Sequence, residues 1–520
     1  MQHYDVIIAG GGPVGAALGI ELGLHQINTL LLEKYATPLL SPRAQSLNAR
    51  SMEFFIRWKL AEELKAKQLL PPDYPIQGVW CSGLNGKTYA VSSSNSKLND
   101  EISPERGSRI PLWLTEEVLR QRLNDFPCVT FLKQHAVMDV SLDKETVMID
   151  AQNHLNERIQ FSAPYVVACD GANSIVRKKV GIDFEALAKP ARVINIIFES
   201  LELAKHITVE KGILYYLLES ERPGALGAID LARGLWYAQI RDDGIAQSIE
   251  EMNINSLIEE LTGIVFAKKI IQAHFWNMHI QLANSFSKNN RVFLMGDSAH
   301  AFVPTGGFGL NTGLGDVVNF GWKLAAVIQQ KAKPELLKTY EQERRPVCLN
   351  NLKAAQKNAD DMMILRKEHD PLKDPEGFAK GNAILAKQHA HSLGATMGYA
   401  YFDSPLTLLQ KDQSTVPMEN SIYQPTVAPG YFLPHVSLPH HSSIYKILSA
   451  TAWTLIVSGE EDLKLIEAWQ EKFNQHHMRL DILNLPKNTY AIQYILIRPD
   501  WQIAYAEKDL RRDYVFDCFK

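Results

Sequence analysis

The chain carries few cysteines: Cys81, Cys128, Cys169, Cys348 and Cys518 in 520 residues, with no CxxC and no paired Cys/His spacing. That pattern speaks against a zinc ribbon and against a dithiol redox centre. The scatter fits a reducing compartment. No apolar run reaches the roughly 18–20 residues that cross a bilayer, so stable membrane insertion is not expected. The charges nearly cancel: 54 Lys+Arg against 58 Asp+Glu leave a net charge of -4. Such a balance offers neither a basic footprint for nucleic acid nor a polybasic anchor. The opening MQHYDVIIAGGG lacks the charged and cleavable apolar regions of a secretory leader, and a cytoplasmic protein is expected. Internal repeats are absent. So is a second GxGxxG, which argues against an enzyme with two Rossmann domains.

What is present is an ordinary globular balance, 46% hydrophobic and 22% charged. At about 100–200 residues per domain, the length suggests three or four structural units. Tyr4–Gly10 is a short apolar run, followed by glycines, a small-residue helix from about Pro13 to Gly23, and a second apolar run, Thr29–Glu33. That order is a βαβ unit. Residues 44–70 read as helical, 92–101 as a polar loop, and a helix is expected from about Thr115 to Asn124. Ile194–Glu199, Ile213–Leu218, Ala225–Leu231 and Leu235–Arg241 read as an antiparallel meander able to wall a pocket. After a strand at Phe293–Met295, residues 314–360 are mostly helical. The tail offers a strand (Trp453–Val457), a helix (Glu461–His477), a strand (Leu480–Leu483) and a hairpin (Ile492–Ile497, Gln502–Ala506). In its helix, Leu463, Ile466, Trp469, Phe473 and His477 follow helical spacing.

Gly10-Gly11-Gly12-Pro13-Val14-Gly15 fits GxGxxG. The first glycine allows a sharp turn after the strand, the second lets backbone approach a pyrophosphate, and the third lets helix and strand pack closely. The helix N-terminus presents free N–H groups and a positive dipole end. Alone the motif is weak, and a glycine-rich turn without a ligand is the bland alternative. Here Glu33 ends the next strand, at the separation expected of an acid that binds ribose hydroxyls.

Two further motifs follow strands. Cys169-Asp170-Gly171-Ala172-Asn173-Ser174 comes after Tyr165–Ala168. Gly296-Asp297-Ser298-Ala299-His300 continues through Pro304-Thr305-Gly306-Gly307-Phe308-Gly309-Leu310-Asn311. An aspartate at a strand end can accept hydrogen bonds from ligand hydroxyls, and a glycine run lets backbone approach a flat ring.

The three motifs in this order resemble the group A flavoprotein monooxygenases, the family of para-hydroxybenzoate hydroxylase and phenol hydroxylase. Tyr340-Glu341-Gln342-Glu343-Arg344-Arg345-Pro346 is similar to the family's helix segment, and Pro429-Gly430 with Pro434-His435 to the start of its tail. Arg498-Pro499-Asp500 resembles the phenol hydroxylase branch, which carries a C-terminal thioredoxin-like domain. The resemblance implies an α/β fold: a Rossmann-like FAD-binding domain (1–75, 106–185, 286–350) interleaved with an antiparallel-sheet substrate domain (76–105, 186–285). A helical connection (351–415) and a thioredoxin-like domain without CxxC (416–520) would follow. It implies FAD as cofactor, NAD(P)H as co-substrate, O2 and a small aromatic substrate, with hydroxylation through a C4a-hydroperoxyflavin. A homodimer is a further expectation from the resemblance.

By the same resemblance, Gly10, Gly12, Pro13, Val14 and Gly15 frame the FAD pyrophosphate. Glu33, with Lys34 beside it, binds the adenosine ribose, Arg43 reaches the pyrophosphate, and a main-chain contact to adenine falls near Val137. Asp170 and Gly171 border the groove shared with NAD(P)H, and Gly296 and Asp297 hold the ribityl chain. Pro304 lies at the reactive edge, and Gly307, Gly309, Leu310 and Asn311 face the flavin ring. Asp170 and Pro304 are the residues expected closest to the chemistry. The chain departs from the family at Leu112, Phe308 and Gly315, where glutamine is common, and at Ser298, where alanine is common.

Other residues have blander readings. His300 is expected to pack beneath its loop, and His440 and His441 to lie on the surface. Arg177 is expected to pack or pair, and the Lys/Arg residues near 57–67 to form a solvated helix face. One of Tyr215/Tyr216 and one of Trp236/Tyr237 should face the pocket, with core packing the default. A base that deprotonates a phenol is expected but not identified. Alternatives are the same fold acting on a polyketide, an antibiotic or a quinone precursor, and a catalytically inactive flavin-binding scaffold. The halogenase motif WxWxIP is missing; Trp276-Asn277-Met278 does not supply it.

Overall fold

The computed structural model describes all residues except 1, 72, 94–100, 221, 223, 243, 245, 391–392, 408–422, 461 and 509–520. Its first sheet orders Ser287–Lys288, Val292–Leu294, Tyr165–Ala168, Val6–Ala9, Thr29–Glu33 and Val129–Lys133. All pairs are parallel except the outermost, Ser287–Lys288 with Val292–Leu294. Val6–Ala9 and Tyr165–Ala168 are buried throughout, because helices cover a parallel sheet on its faces. Pro13–Leu24 and Phe308–Ile328 pack against each other there. A four-stranded sheet that includes His135–Leu142 flanks this core.

The second large sheet has seven strands, ordered Lys269–Met278, Ala191–Glu199, Leu235–Arg241, Gly224–Asp230, Leu214–Leu217, Gln77–Cys81 and Thr88–Ser93. The expected meander is there, with one parallel pair, Leu214–Leu217 beside Gln77–Cys81. The two faces of this sheet differ. On one, Ile194, Ile196, Tyr215 and Trp236 pack with Leu257, Ile258 and Leu261 of the helix Ile254–Thr262. On the other, Ile197 and Tyr237 meet Leu40 and Trp113 of the dinucleotide core. That second face looks toward the dinucleotide core, and the seam between the two is the candidate cleft.

The segment 44–70 is not one helix. It holds a short strand, Ser46–Leu47, and the helices Ala49–Arg57 and Ala61–Lys65, broken where Lys59 takes φ 60. Nor is its basic face solvated throughout. Arg57 is buried, ion-paired to Glu21 at 2.6 Å, and its guanidinium also donates to the carbonyls of Ala450 and Pro499. The helix expected from Thr115 begins at Leu112, because Pro111 at φ -55, ψ 140 supplies the extended cap residue. Of the polar stretch 92–101, residues 94–100 lie outside the described residues.

The helix Lys338–Glu368 runs straight through residue 350, where the sequence placed a domain boundary. Its signature segment is a row of fasteners. Tyr340 Oη donates to the Leu294 carbonyl at 2.8 Å, and Glu341 accepts from the Ser285 hydroxyl and the Phe286 N–H. Glu343 receives Arg498 at 2.7 and 2.9 Å, together with Lys323, and Arg344 donates to Asp316 at 2.8 Å.

The tail sheet orders Leu480–Leu485, Trp453–Ser458, Tyr494–Ile497 and Ile503–Glu507. A parallel pair joined by the helix Leu463–Gln475, followed by an antiparallel hairpin, is the thioredoxin-like arrangement. In that helix Ile466, Trp469 and Phe473 are buried. Leu463 is 61% exposed and His477 lies past the helix end at φ 54, so neither belongs to the core.

Candidate active site

The strands Val6–Ala9, Thr29–Glu33, Tyr165–Ala168 and Val292–Leu294 run parallel, so their C-terminal ends meet along one edge. Gly10, Glu33, Asp170 and Gly296-Asp297 lie at or just past those ends. In open α/β sheets the ligand crevice lies at this edge, where strand order reverses; here it reverses at Val6–Ala9.

The glycine turn is required by close approach. Gly10 has φ +102, and a Cβ there would overlap the Cys169 carbonyl; a Cβ on Gly15 would overlap the Gly10 carbonyl. Gly12 is different, because nothing lies within 4 Å of where its Cβ would be. It caps Pro13–Leu24 without any side-chain hydrogen bond, leaving that helix terminus open to an anion. Val14 packs beneath Gly296 and Gly313, fixing the Phe308–Ile328 helix to the turn. Glu33 accepts from the Gly11 N–H at 2.7 Å and the Tyr35 N–H at 2.9 Å, so one lone pair on each oxygen remains available. Lys34 is exposed beside it, over the Tyr35 ring.

Two residues at this corner escape a reading of the sequence. Arg120 donates to the Gly11 carbonyl at 2.9 Å and pairs with Glu116 at 3.2 Å, while its Nη1 is buried without a partner. Burial raises the Glu116 carboxyl to about 7; Arg120 opposes that rise and Glu33 adds to it. The i,i+4 spacing of Glu116 and Arg120 is the signal that could have found them.

Asp170 accepts from the N–H groups of Ile175 at 2.8 Å and Val176 at 3.2 Å through one oxygen; the other is buried and unpartnered. Burial raises its carboxyl above the usual value, against the Ser174 hydrogen bond. Gly171, at φ +82, turns the chain beside it. Arg177 packs as expected, stacked on Phe184 with its centre 3.7 Å from the ring.

Asp297 projects into the cleft from the turn Gly296–Ser298, where Gly296 has φ +60. The protein walls crowding it raise its carboxyl, against Arg43 and His300. Ser298 donates to the Ala168 carbonyl at 2.7 Å and ties the two strand ends together. Arg43 is exposed to the same cleft, close enough to Asp297, Glu116 and His274 to bias the charge of each. It precedes Ala44 at φ 48, a left-handed conformation that costs a residue with a Cβ and so marks an imposed turn.

Pro304 is exposed at the loop before the Phe308–Ile328 helix, whose cap residue Gly307 has φ 65 and no side-chain hydrogen bond. Leu310 is buried and Gly309 half-buried. The Asn311 amide is used within the protein: it accepts from Ser51 Oγ and the Asn48 N–H and donates to the Gly307 carbonyl. Val137 is buried in the flanking sheet. His300 packs beneath the loop, paired with Asp316 at 2.7 Å. Burial works against its charge, but Cys348 and Asp316 outweigh it and hold the imidazole at about 10. His300, Asp316 and Cys348 lie close enough to share a metal, yet Arg344 already neutralises Asp316. Gly315 is explained by the same arginine, since a Cβ there would sit 2.8 Å from Arg344 Nη2. His440 and His441 are exposed.

An open helix terminus, an orphaned Arg120 nitrogen, an orphaned Asp170 oxygen and Asp297 facing the cleft suit a dinucleotide with pyrophosphate and polyol groups. Comparison with known proteins agrees. The FAD binding domain family matches residues 3–355. The FAD-dependent monooxygenase apdD of Emericella nidulans is 26% identical, over 97% of this chain and 88% of its own length. A 2,4-dichlorophenol 6-monooxygenase of Delftia acidovorans is 29% identical, over 74% of this chain and 68% of its own. The rebeccamycin biosynthetic enzyme RebC, solved with reduced flavin, superimposes with a TM-score of 0.87 at 26% identity, covering 99% of this chain and 98% of that one. The chain belongs to the FAD-binding-domain family, the group A FAD-dependent monooxygenases.

Proposed function

We propose that the protein uses NAD(P)H and O2 to hydroxylate an aromatic, phenol-like substrate. The observation that carries this reading is the cleft itself: strand ends suited to FAD stand opposite a sheet face bearing Tyr216 and Tyr237. Bound FAD supplies the redox chemistry that activates oxygen. The residues supply placement. Gly10, Gly12, Pro13, Val14 and Gly15 would take the pyrophosphate, Glu33 and Lys34 the ribose, and the main chain at Val137 the adenine. Arg43 would neutralise phosphate. Gly296 and Asp297 would hold the polyol chain, and Pro304, Gly307, Gly309, Leu310 and Asn311 would border the ring. Asp170 and Gly171 would line the nicotinamide approach. A dry cleft limits wasteful loss of activated oxygen. A cytoplasmic homodimer belongs to the same reading, as do the domain limits expected from the sequence other than the one at 350, which falls inside a helix.

Among relatives, the Delftia enzyme's action on 2,4-dichlorophenol supports a phenol. A 12-dehydrotetracycline 5-monooxygenase of Streptomyces rimosus, 28% identical over 68% of this chain and 68% of its own length, supports a larger polycyclic substrate. Trp80 stacked on Tyr216, with centroids 3.8 Å apart and planes within 10°, is a flat wall that suits either. The test is anaerobic reduction of the yellow protein by NADPH and NADH with a panel of phenols and polycyclic phenols. A compound that strongly accelerates loss of flavin absorbance supports the reading. A flavin that neither nucleotide bleaches refutes it and leaves a flavin-binding scaffold.

A further inference from the structure

The cleft face of the seven-stranded sheet carries one polar row. Asn195 pairs in register with Gln239 on one side and His274 on the other. At about 4.8 Å per strand the three span roughly 10 Å. On the strand beyond Gln239 the row continues with Ala225, a small residue, and then with Tyr216. One residue further along Asn195's own face, Ile197 packs with Leu40 and Trp113, so the row looks toward the dinucleotide core. Arg43 lies within electrostatic reach of His274 from that side.

Asn195 is 1% exposed, yet neither its amide oxygen nor its amide nitrogen has a hydrogen-bond partner. Burying an amide unpaired is destabilising, and a sheet interior position would ordinarily hold an apolar residue. Its neighbours do not relieve it. His274 Nδ1 is engaged by the Gln272 amide at 3.1 Å, and Gln239 is only half-buried. An amide presents an acceptor and a donor side by side. The complementary ligand edge is a donor beside an acceptor, on adjacent ring atoms.

We propose that Asn195 is the specificity-determining residue of the cleft, selecting aromatic substrates that carry a hydroxyl and a second oxygen on neighbouring carbons. The hydroxyl donates to Asn195 Oδ1 and the second oxygen accepts from Nδ2. Gln239 and His274 flank the pair, and Tyr216 and Tyr237 receive the rest of the ring system. This rests on the monooxygenase reading only in taking the cleft as the substrate site.

The test is equilibrium binding to the flavin-loaded protein, followed by tryptophan fluorescence and calorimetry, with three probes. Naphthalene-2,3-diol has both functions adjacent, 2-naphthol lacks the second oxygen, and 2,3-dimethoxynaphthalene lacks the donor. The wild type is expected to prefer the diol by about tenfold or more, because a site built for a hydrogen bond rejects the analogue that leaves it unpaired. Asn195→Leu, of similar size, is expected to erase that preference while retaining 2-naphthol binding. Asn195→Asp, which offers two acceptors, is expected to keep the preference for the diol, both of whose hydroxyls can donate to the carboxylate, and to reject 2,3-dimethoxynaphthalene. Flavin content and circular dichroism of each variant report folding, and Gln239→Leu serves as a second variant on the same row. Equal binding of the three probes by the wild type, or a diol preference that survives in Asn195→Leu, overturns the proposal. Either result leaves the monooxygenase reading untouched, since that stands or falls on bleaching of the flavin. Selective diol binding without bleaching would keep this site and remove the reaction.

Discussion

Replacing Glu343 by alanine should be among the most damaging single changes away from the cleft. Glu343 is fully buried and receives Arg498 at 2.7 and 2.9 Å, Asn319 at 2.6 Å, Lys323 and Ser404. Its removal leaves Arg498 with Asp500 and Lys323 with the Asn319 amide, inside a core that excludes water. Breaking a buried pair from one side costs about 3–5 kcal/mol, because the surviving charge is left uncompensated. At roughly 2 °C per kcal/mol for larger domains, the melting temperature of the flavin-loaded protein should fall by about 6–10 °C. Burial works against the Glu343 charge, but Arg498 and Lys323 outweigh it and hold the carboxyl far below the usual carboxylate range. An acid with a depressed folded pKa stabilises above its unfolded value and loses that contribution as pH falls toward the folded one. The gap between wild type and Glu343→Gln should therefore narrow in acid. Melts followed by circular dichroism and by flavin release, from neutral pH down to well below the ordinary carboxylate value, measure both effects. A loss below about 1 kcal/mol in Glu343→Ala would refute the reasoning.

Other outcomes follow from the same geometry. Gly15→Ala should yield colourless protein, because its Cβ would occupy the space of the Gly10 carbonyl; absorbance at flavin wavelengths checks it. Arg43→Ala should weaken flavin binding by roughly 10–100-fold, the scale of a lost charge-assisted hydrogen bond, measured by titration of the apoprotein. Glu116 should impose a pH slope of the opposite sign to Glu343. Its folded value is raised to about 7, so its stabilisation is complete below the ordinary carboxylate value and lost as pH rises through about 7. Melts of Glu116→Gln should lack that slope.

The strand-end corner was legible because Gly10 and Gly15 answer to a strand end and to a neighbour close in sequence, and such constraints leave a residue type behind. Gly10, Gly15, Asp170 and Gly296 all fall at the one edge their motifs implied. Arg57 was not legible. It reads as one more basic residue on a polar helix, and its partners, Glu21, Ala450 and Pro499, come from three distant segments. The helix break at Lys59 was hidden for a related reason, since a non-glycine left-handed residue leaves no compositional trace. Asn195 was hidden by its company: Ile194, Ile196 and Ile197 make the strand look like plain core, and only its place in the sheet shows an amide without a partner.

Glu343 and Arg344 are consecutive residues whose side chains serve two different parts of the protein. One anchors the tail hairpin through Arg498; the other braces Asp316 beneath Gly296 and His300. The tail is therefore not a detachable cargo. A truncated chain ending before it would uncover the Glu343–Lys323 pair and strip that carboxylate of its two hydrogen bonds from Arg498, one peptide bond from the brace under the cofactor corner. Exchanging tails between relatives would work only between chains that preserve the same charge at both ends of that contact, so the hairpin and the signature helix are inherited as one part.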